Sequence, residues 1–180
     1  GLIWIDAHMD SHTFATTPSG QIHGMPLACL LGHGEAVLTA IDGAEAKLHP
    51  GHVCLIGVRS FEAGEAALLY RLGVRVFDME EIHRRGLAEV FDEALAIVRQ
   101  GTAGFGVSID LDALDPEEEP GVGTPVPGGL SRAELAEALS HLRGDPAFVA
   151  MEIVEYNPRR DRSHATADAA GALVGAITPL

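Results

Sequence analysis

Five short, mainly apolar runs punctuate this chain, at 2–5, 53–58, 74–77, 104–109 and 148–153. They are continuous rather than alternating, which is the pattern of strands covered on both faces. Amphipathic segments lie between and around them, and 25–31, 61–72, 79–100, 131–143 and 165–177 read as helices. In the longest, Ile82, Leu87, Val90, Phe91, Ala94, Leu95 and Val98 recur at near-helical spacing. Ser131 followed by Glu134 is a capping box that opens the next helix. Strands alternating with helices form βαβ units, hence a mainly parallel sheet with helices on both faces, a three-layer α/β/α fold. Residues 1–180 form one catalytic domain in this reading, with Pro120 to Gly129 as a Gly/Pro-rich loop inside it.

Composition narrows the partners. The net charge of −14 argues against nucleic acid, because phosphate binding needs clustered lysine and arginine. An acidic surface suits a cationic small molecule, although solubility alone would account for it. Cys29 and Cys54 sit in apolar stretches; a disulfide between them is one reading, but they read better as buried thiols in a cytoplasmic protein. No uninterrupted apolar run approaches the roughly 20 residues of a membrane span, and no signal peptide is visible. Gly1 leads straight into Leu2-Ile3-Trp4-Ile5 with no initiator methionine and no leading helix, which reads as a piece cut from a longer chain.

The first apolar run ends in Asp6-Ala7-His8-Met9-Asp10. While the chain stays extended, residues two apart point to one side, so Asp6, His8 and Asp10 share a face. They fall at the C-terminal end of a parallel strand, where open α/β sheets place their ligands. The run from Phe105 to Ile109 likewise ends in Asp110-Leu111-Asp112, after which Asp115-Pro116 turns the chain. Either segment alone would serve equally well to cap the following loop. Two at the same spacing after two strands point to a metal centre, because crowded anions repel unless cations sit between them. Oxygen-rich ligation with a little imidazole suits Mn²⁺ or Mg²⁺.

The segments DAHMD, SGQIHGMP, SIDLDALDP, GTPVPGG and MEIVEYNP occur in this order and span nearly the whole chain. Together they resemble the signatures of the ureohydrolases, with Ser-Gly-x-x-His-Gly similar to the arginase branch rather than to agmatinase. The resemblance implies two Mn²⁺ ions bridged by a hydroxide that attacks a guanidinium carbon, releasing urea and an amine. It implies that Asp6 and Asp110 bridge the metals, that His8 and Asp112 complete one site, and that Asp10 belongs to the other. Asp10 would also pass a proton to the leaving amine, and His23 would shuttle protons at the mouth. Glu155 matches the carboxylate that binds the guanidinium; Glu152 lies inside the strand and matches the family's backbone instead. His12, where the family usually has Asn, and Ser19 would meet the substrate α-carboxylate. Glu62, where an Asp is usual, would meet the α-amino group, or would serve only as a helix N-terminal charge. The remaining histidines (33, 49, 52, 83, 141 and 164) read as surface or satisfied structural residues.

The family carries one further metal-binding histidine, in a Gly-Gly-Asp-His segment upstream of the DAHxD strand, and no residue precedes Gly1 here. Its absent strands lie together, so the five present should run fifth, fourth, first, second, third, leaving 148–153 as an open edge. The expected activity is cleavage of L-arginine to L-ornithine and urea by a protein that forms a homo-oligomer when intact. The alternatives are another ureohydrolase (guanidinobutyrase, agmatinase or formimidoylglutamase) and a non-catalytic remnant.

Overall fold

A computed structural model describes residues 1–43 and 45–178. Five strands, β1 (Leu2–Ile5), β2 (Val53–Val58), β3 (Arg75–Asp78), β4 (Phe105–Asp110) and β5 (Phe148–Val154), form one parallel sheet in the order β3-β2-β1-β4-β5. The helices are α1 (Pro26–Leu30), α2 (Ala36–Thr39), α3 (Ala63–Leu72), α4 (Met79–Arg85), α5 (Leu87–Arg99), α6 (Arg132–Ser140) and α7 (Ala165–Ile177). No helix among the described residues is long and apolar enough to cross a membrane.

Period-two alternation sends successive strand residues to opposite faces, and both faces of the central strands are apolar. Ile3, Ile5, Cys54, Ile56, Val107 and Ile109 pack with Val90, Phe91, Ala94 and Val98 of α5, Leu135 and Leu139 of α6, and Leu173 of α7. Trp4, Val53 and Leu55 pack on the other face with Leu27 of α1 and Leu69 of α3. The result is the expected three layers.

Three expectations are corrected. The helix read as 79–100 is two, because Gly86 adopts φ 88° and ψ 145°, a conformation that no side-chain-bearing residue tolerates well and that ends α4 before α5 begins. The strand at 148–153 is not buried on both faces: Val149, Ala150 and Glu152 are exposed, since the α1/α3 layer does not extend over β5. Both cysteines are free, but only Cys54 is buried; Cys29 is half-buried. It lines an apolar cavity of about 580 Å³ with Trp4, Met25, Leu30, Lys47 and Glu152, beside that uncovered part of the sheet.

Candidate metal centre

Parallel pairing of β1 with β4 sets Ile5 opposite Ile109, so the chain leaves both strands side by side at Asp6 and Asp110. Asp6, His8 and Asp112 converge, each offering one ligand atom within 4.8 Å of the others. His8 Nδ1 lies 3.1 Å from Asp112 Oδ2 and 3.4 Å from Asp6 Oδ1. Several of these carboxylate oxygens also accept from specific donors. Trp4 Nε1 donates to Asp6 Oδ2 (2.8 Å), the His8 amide to Asp6 Oδ1 (2.7 Å), and the Asp112 amide to Asp110 Oδ1 (2.8 Å). Thr124 Oγ1 donates to Asp112 Oδ2 at 2.9 Å. These bonds fix the carboxylates in place before any ligand arrives.

Asp10 and Asp110 are outside that triad but line the same cleft, which holds about 180 Å³. Asp10 is anchored by its backbone: its carbonyl accepts from the Leu27 amide at 2.9 Å, and its φ of 47° lies in the left-handed region. Glu155 also has a positive φ, 62°. For a residue with a Cβ this conformation costs roughly 1–3 kcal/mol, and such strain concentrates at functional sites.

The electrostatics are those of buried acids crowded around one histidine. Burial, then the charge of Asp6, pushes Asp10 up to about 9; burial with Asp6 and Asp112 pushes Asp110 up to about 10. Burial likewise raises Asp6. Burial alone would lower His8, but its hydrogen bonds with Asp112 and Asp6 prevail and raise it to about 10. Burial also opposes ionisation of Asp112, yet the hydrogen bond from His8 holds it below the ordinary carboxylate range. No lysine or arginine among the described residues lines the cleft.

The rest of the expected set lies on the cleft wall. His12 is buried, with Nδ1 3.1 Å from Thr16 Oγ1 and Nε2 2.9 Å from Glu62 Oε2. Glu62 is the N-cap of α3 and pairs with His12. Ser19 is exposed and accepts from the Gln21 amide at 3.3 Å. His23 is exposed, with Nε2 2.7 Å from Gln21 Oε1. Glu155 lines the same cleft. Glu152 is instead held by Ser108 Oγ at 2.8 Å, outside the cleft.

Two cleft residues escaped the sequence reading. Glu65 is a buried carboxylate whose oxygens accept from the Glu62 amide (3.0 Å) and the Ser11 amide (3.3 Å). Its three-residue spacing from Glu62 was the available signal. Thr124 was inside a quoted motif, but nothing in its spacing tells that it reaches Asp112. One expectation for the unassigned histidines is corrected: His52 Nδ1 is buried with no hydrogen-bond partner among the described residues.

The sequence model of the arginase family matches residues 1–178. The arginases of Brevibacillus brevis and Bacillus caldovelox are 47% and 45% identical to this chain over 177 residues, which cover 98% of it and 59% of each relative. The chain thus spans about three-fifths of the length of these relatives. The native structure of the Bacillus caldovelox arginase superposes with a TM-score of 0.95 over the same shares of the two chains. The Entamoeba histolytica arginase in complex with L-ornithine does so at 0.90, with 32% identity, covering 98% of this chain and 59% of that one.

Proposed function

The chain belongs to the arginase family, and from that premise we propose that it supplies the chemistry of a binuclear manganese hydrolase cleaving L-arginine to L-ornithine and urea. The observation that carries the reading is the meeting of Asp6, His8 and Asp112, with Asp10 and Asp110 in the same cleft and no lysine or arginine among the described residues lining it.

The donor set fits the metal. Carboxylate oxygens with one imidazole suit Mn²⁺, and the raised carboxyls mark a site that favours added positive charge. Asp6, His8, Asp10, Asp110 and Asp112 would hold the metal. When bound, a pair of divalent ions acidifies water enough to make hydroxide available near neutral pH.

The remaining work falls to the chain. Glu155 meets the planar guanidinium as a carboxylate partner and holds its carbon toward the strand ends. Asp10 takes a proton as water adds to that carbon and gives it to the departing ornithine nitrogen when the C–N bond breaks. His23, exposed at the mouth beside Gln21, exchanges protons with solvent. His12 and Ser19 face the α-carboxylate and Glu62 the α-amino group. The L-ornithine held by the Entamoeba histolytica arginase is the product this scheme requires.

Titrating Mn²⁺ into the protein and then comparing urea release from L-arginine and agmatine tests the assignment. Urea from L-arginine in proportion to bound Mn²⁺ supports it, and faster release from agmatine would transfer the site to a decarboxylated substrate. A second reading has one observation behind it. His12 Nε2 already meets Glu62 Oε2 at 2.9 Å, which occupies an oxygen that an α-amino group would need. Guanidinobutyrate, which has no α-amino group, therefore belongs in the same assay, and its faster turnover would favour that reading.

A further inference from the structure

We infer that Arg59 is a positioning residue that locks the two carboxylate-bearing strand ends against each other and so sets the metal affinity of the site. The inference rests on the metal reading above. Arg59 follows β2, away from the cleft itself, and its guanidinium is half-buried. Arginines in such places usually pair with a carboxylate, but this one meets six main-chain carbonyls instead. Nε reaches Val126 and Pro127, both at 3.2 Å. Nη1 reaches Gly57 (3.1 Å) and Ala113 (3.3 Å). Nη2 reaches Asp112 (2.8 Å), Leu114 (3.3 Å) and Val126 (2.7 Å).

These contacts join three segments. The carbonyls of Asp112, Ala113 and Leu114 belong to the turn that follows β4 and carries Asp112. Those of Val126 and Pro127 belong to the loop whose Thr124 hydroxyl orients the Asp112 carboxylate. The main chain of the same residue secures the other strand end. The Arg59 and Ser60 amides donate to the Ala7 carbonyl, at 2.9 and 3.0 Å, and Ala7 lies between Asp6 and His8. One residue therefore grips DAH with its backbone and DLD with its side chain.

Only a guanidinium offers five donors in a plane wide enough for this, and a lysine ammonium offers three at a point. The loop is shaped for it. A Cβ at Gly129 would lie 2.7 Å from Arg59 Nη2 and 2.6 Å from the Leu114 carbonyl carbon, so only glycine lets the loop close over the fork.

Residues that orient metal ligands typically cost ~10–100-fold in affinity when lost. The test measures Mn²⁺ affinity of the unaltered chain, of Arg59→Lys, and of Leu139→Ala as a control. Leu139 lies in the core under α6, and its truncation lowers stability without touching the site. Below the melting temperature of each, Arg59→Lys is expected to bind Mn²⁺ about 10–100-fold more weakly, and Leu139→Ala within about twofold of the unaltered chain. A folded Arg59→Lys with unchanged affinity overturns the inference. Should that variant not fold, the unaltered chain still decides. Linkage is reciprocal, so Mn²⁺ must slow hydrogen exchange at the Arg59 and Ser60 amides and at the Arg59 Nε. Unchanged exchange there, with Mn²⁺ bound, overturns the inference as well. An unaltered chain that binds no Mn²⁺ fails the metal reading itself and takes this inference with it.

Discussion

Asp10, Asp110 and His8 share a property that fixes how this chain should respond to pH. Each binds its proton more tightly in the folded cleft than in an unfolded chain, with folded values of about 9, 10 and 10. The stability they contribute in the absence of metal is therefore complete at low pH and is lost as pH rises through those values. The loss starts near 4 for the carboxyls and near 6.5 for His8, which are about their unfolded values. Mn²⁺ replaces the protons, so its binding should release them and its affinity should rise with pH. Thermal melts of the metal-stripped chain are expected to fall by on the order of 5 °C between pH 6 and 9, while melts with saturating Mn²⁺ stay level. A metal-stripped chain that grew more stable over that range would contradict the charge balance described for the cleft. Glu155 gives a separate prediction at the same scale. Glu155→Gln keeps the shape but removes the charge that faces the guanidinium, so turnover should drop by roughly 100-fold, the magnitude for one preorganised electrostatic partner. Mn²⁺ affinity should not change, because Glu155 is not among the converging ligands; calorimetry alongside the urea assay separates the two effects.

At the level of elements, Gly86 decides where one helix ends and the next begins. Its φ of 88° with ψ of 145° is open to glycine alone, so Gly86→Ala should cost about 1–3 kcal/mol. In urea denaturation this appears as a lower midpoint at an unchanged slope. A loss below about 0.5 kcal/mol would mean that α4 and α5 can fuse into the continuous helix that the sequence pattern suggests. That pattern was misread for a physical reason: the apolar residues of both helices face the same core, so their spacing runs through the break. The strands were legible within a residue or so because each is an apolar run ending at a turn or a carboxylate. The metal-centre candidates were legible as acids and a histidine crowded at two strand ends, but not through an extended shared face: Leu111–Ala113 is a 3-10 turn, and Asp10, at a φ of 47°, falls outside the converging triad. Glu65 was signalled only by its spacing from Glu62, and Arg59 and Thr124 were not legible. Their importance comes from contacts between segments far apart in sequence, such as the 67 residues separating Arg59 from Val126, and no local pattern records those. The short helix α2 was also missed, since four residues carry no periodicity.

The sheet as a whole has two unlike edges. β3 is four residues long, and its Arg75 is tied to Glu81 and Glu93 in an ion-pair cluster with Arg85, an arrangement that discourages another strand from adding on. β5 has seven residues, pairs only with β4 among the described strands, and presents Val149 to solvent at 69% exposure. Its uncovered face adjoins the apolar cavity beside Trp4 and Met25, so an incoming strand would gain apolar burial as well as main-chain hydrogen bonds. The chain should therefore self-associate through β5 as its concentration rises. Val149→Lys places a charge on that edge at an exposed position, where substitution usually changes stability by no more than about 0.5 kcal/mol. Sedimentation velocity is expected to show concentration-dependent association for the unaltered chain and a shift toward monomer for Val149→Lys, with melting temperatures matching to within about 2 °C. Equal association in both would exonerate β5 and direct attention to the exposed Ile41 that lines the same cavity. An unaltered chain that stayed monomeric across the range would show that the sheet tolerates its open edge unaided.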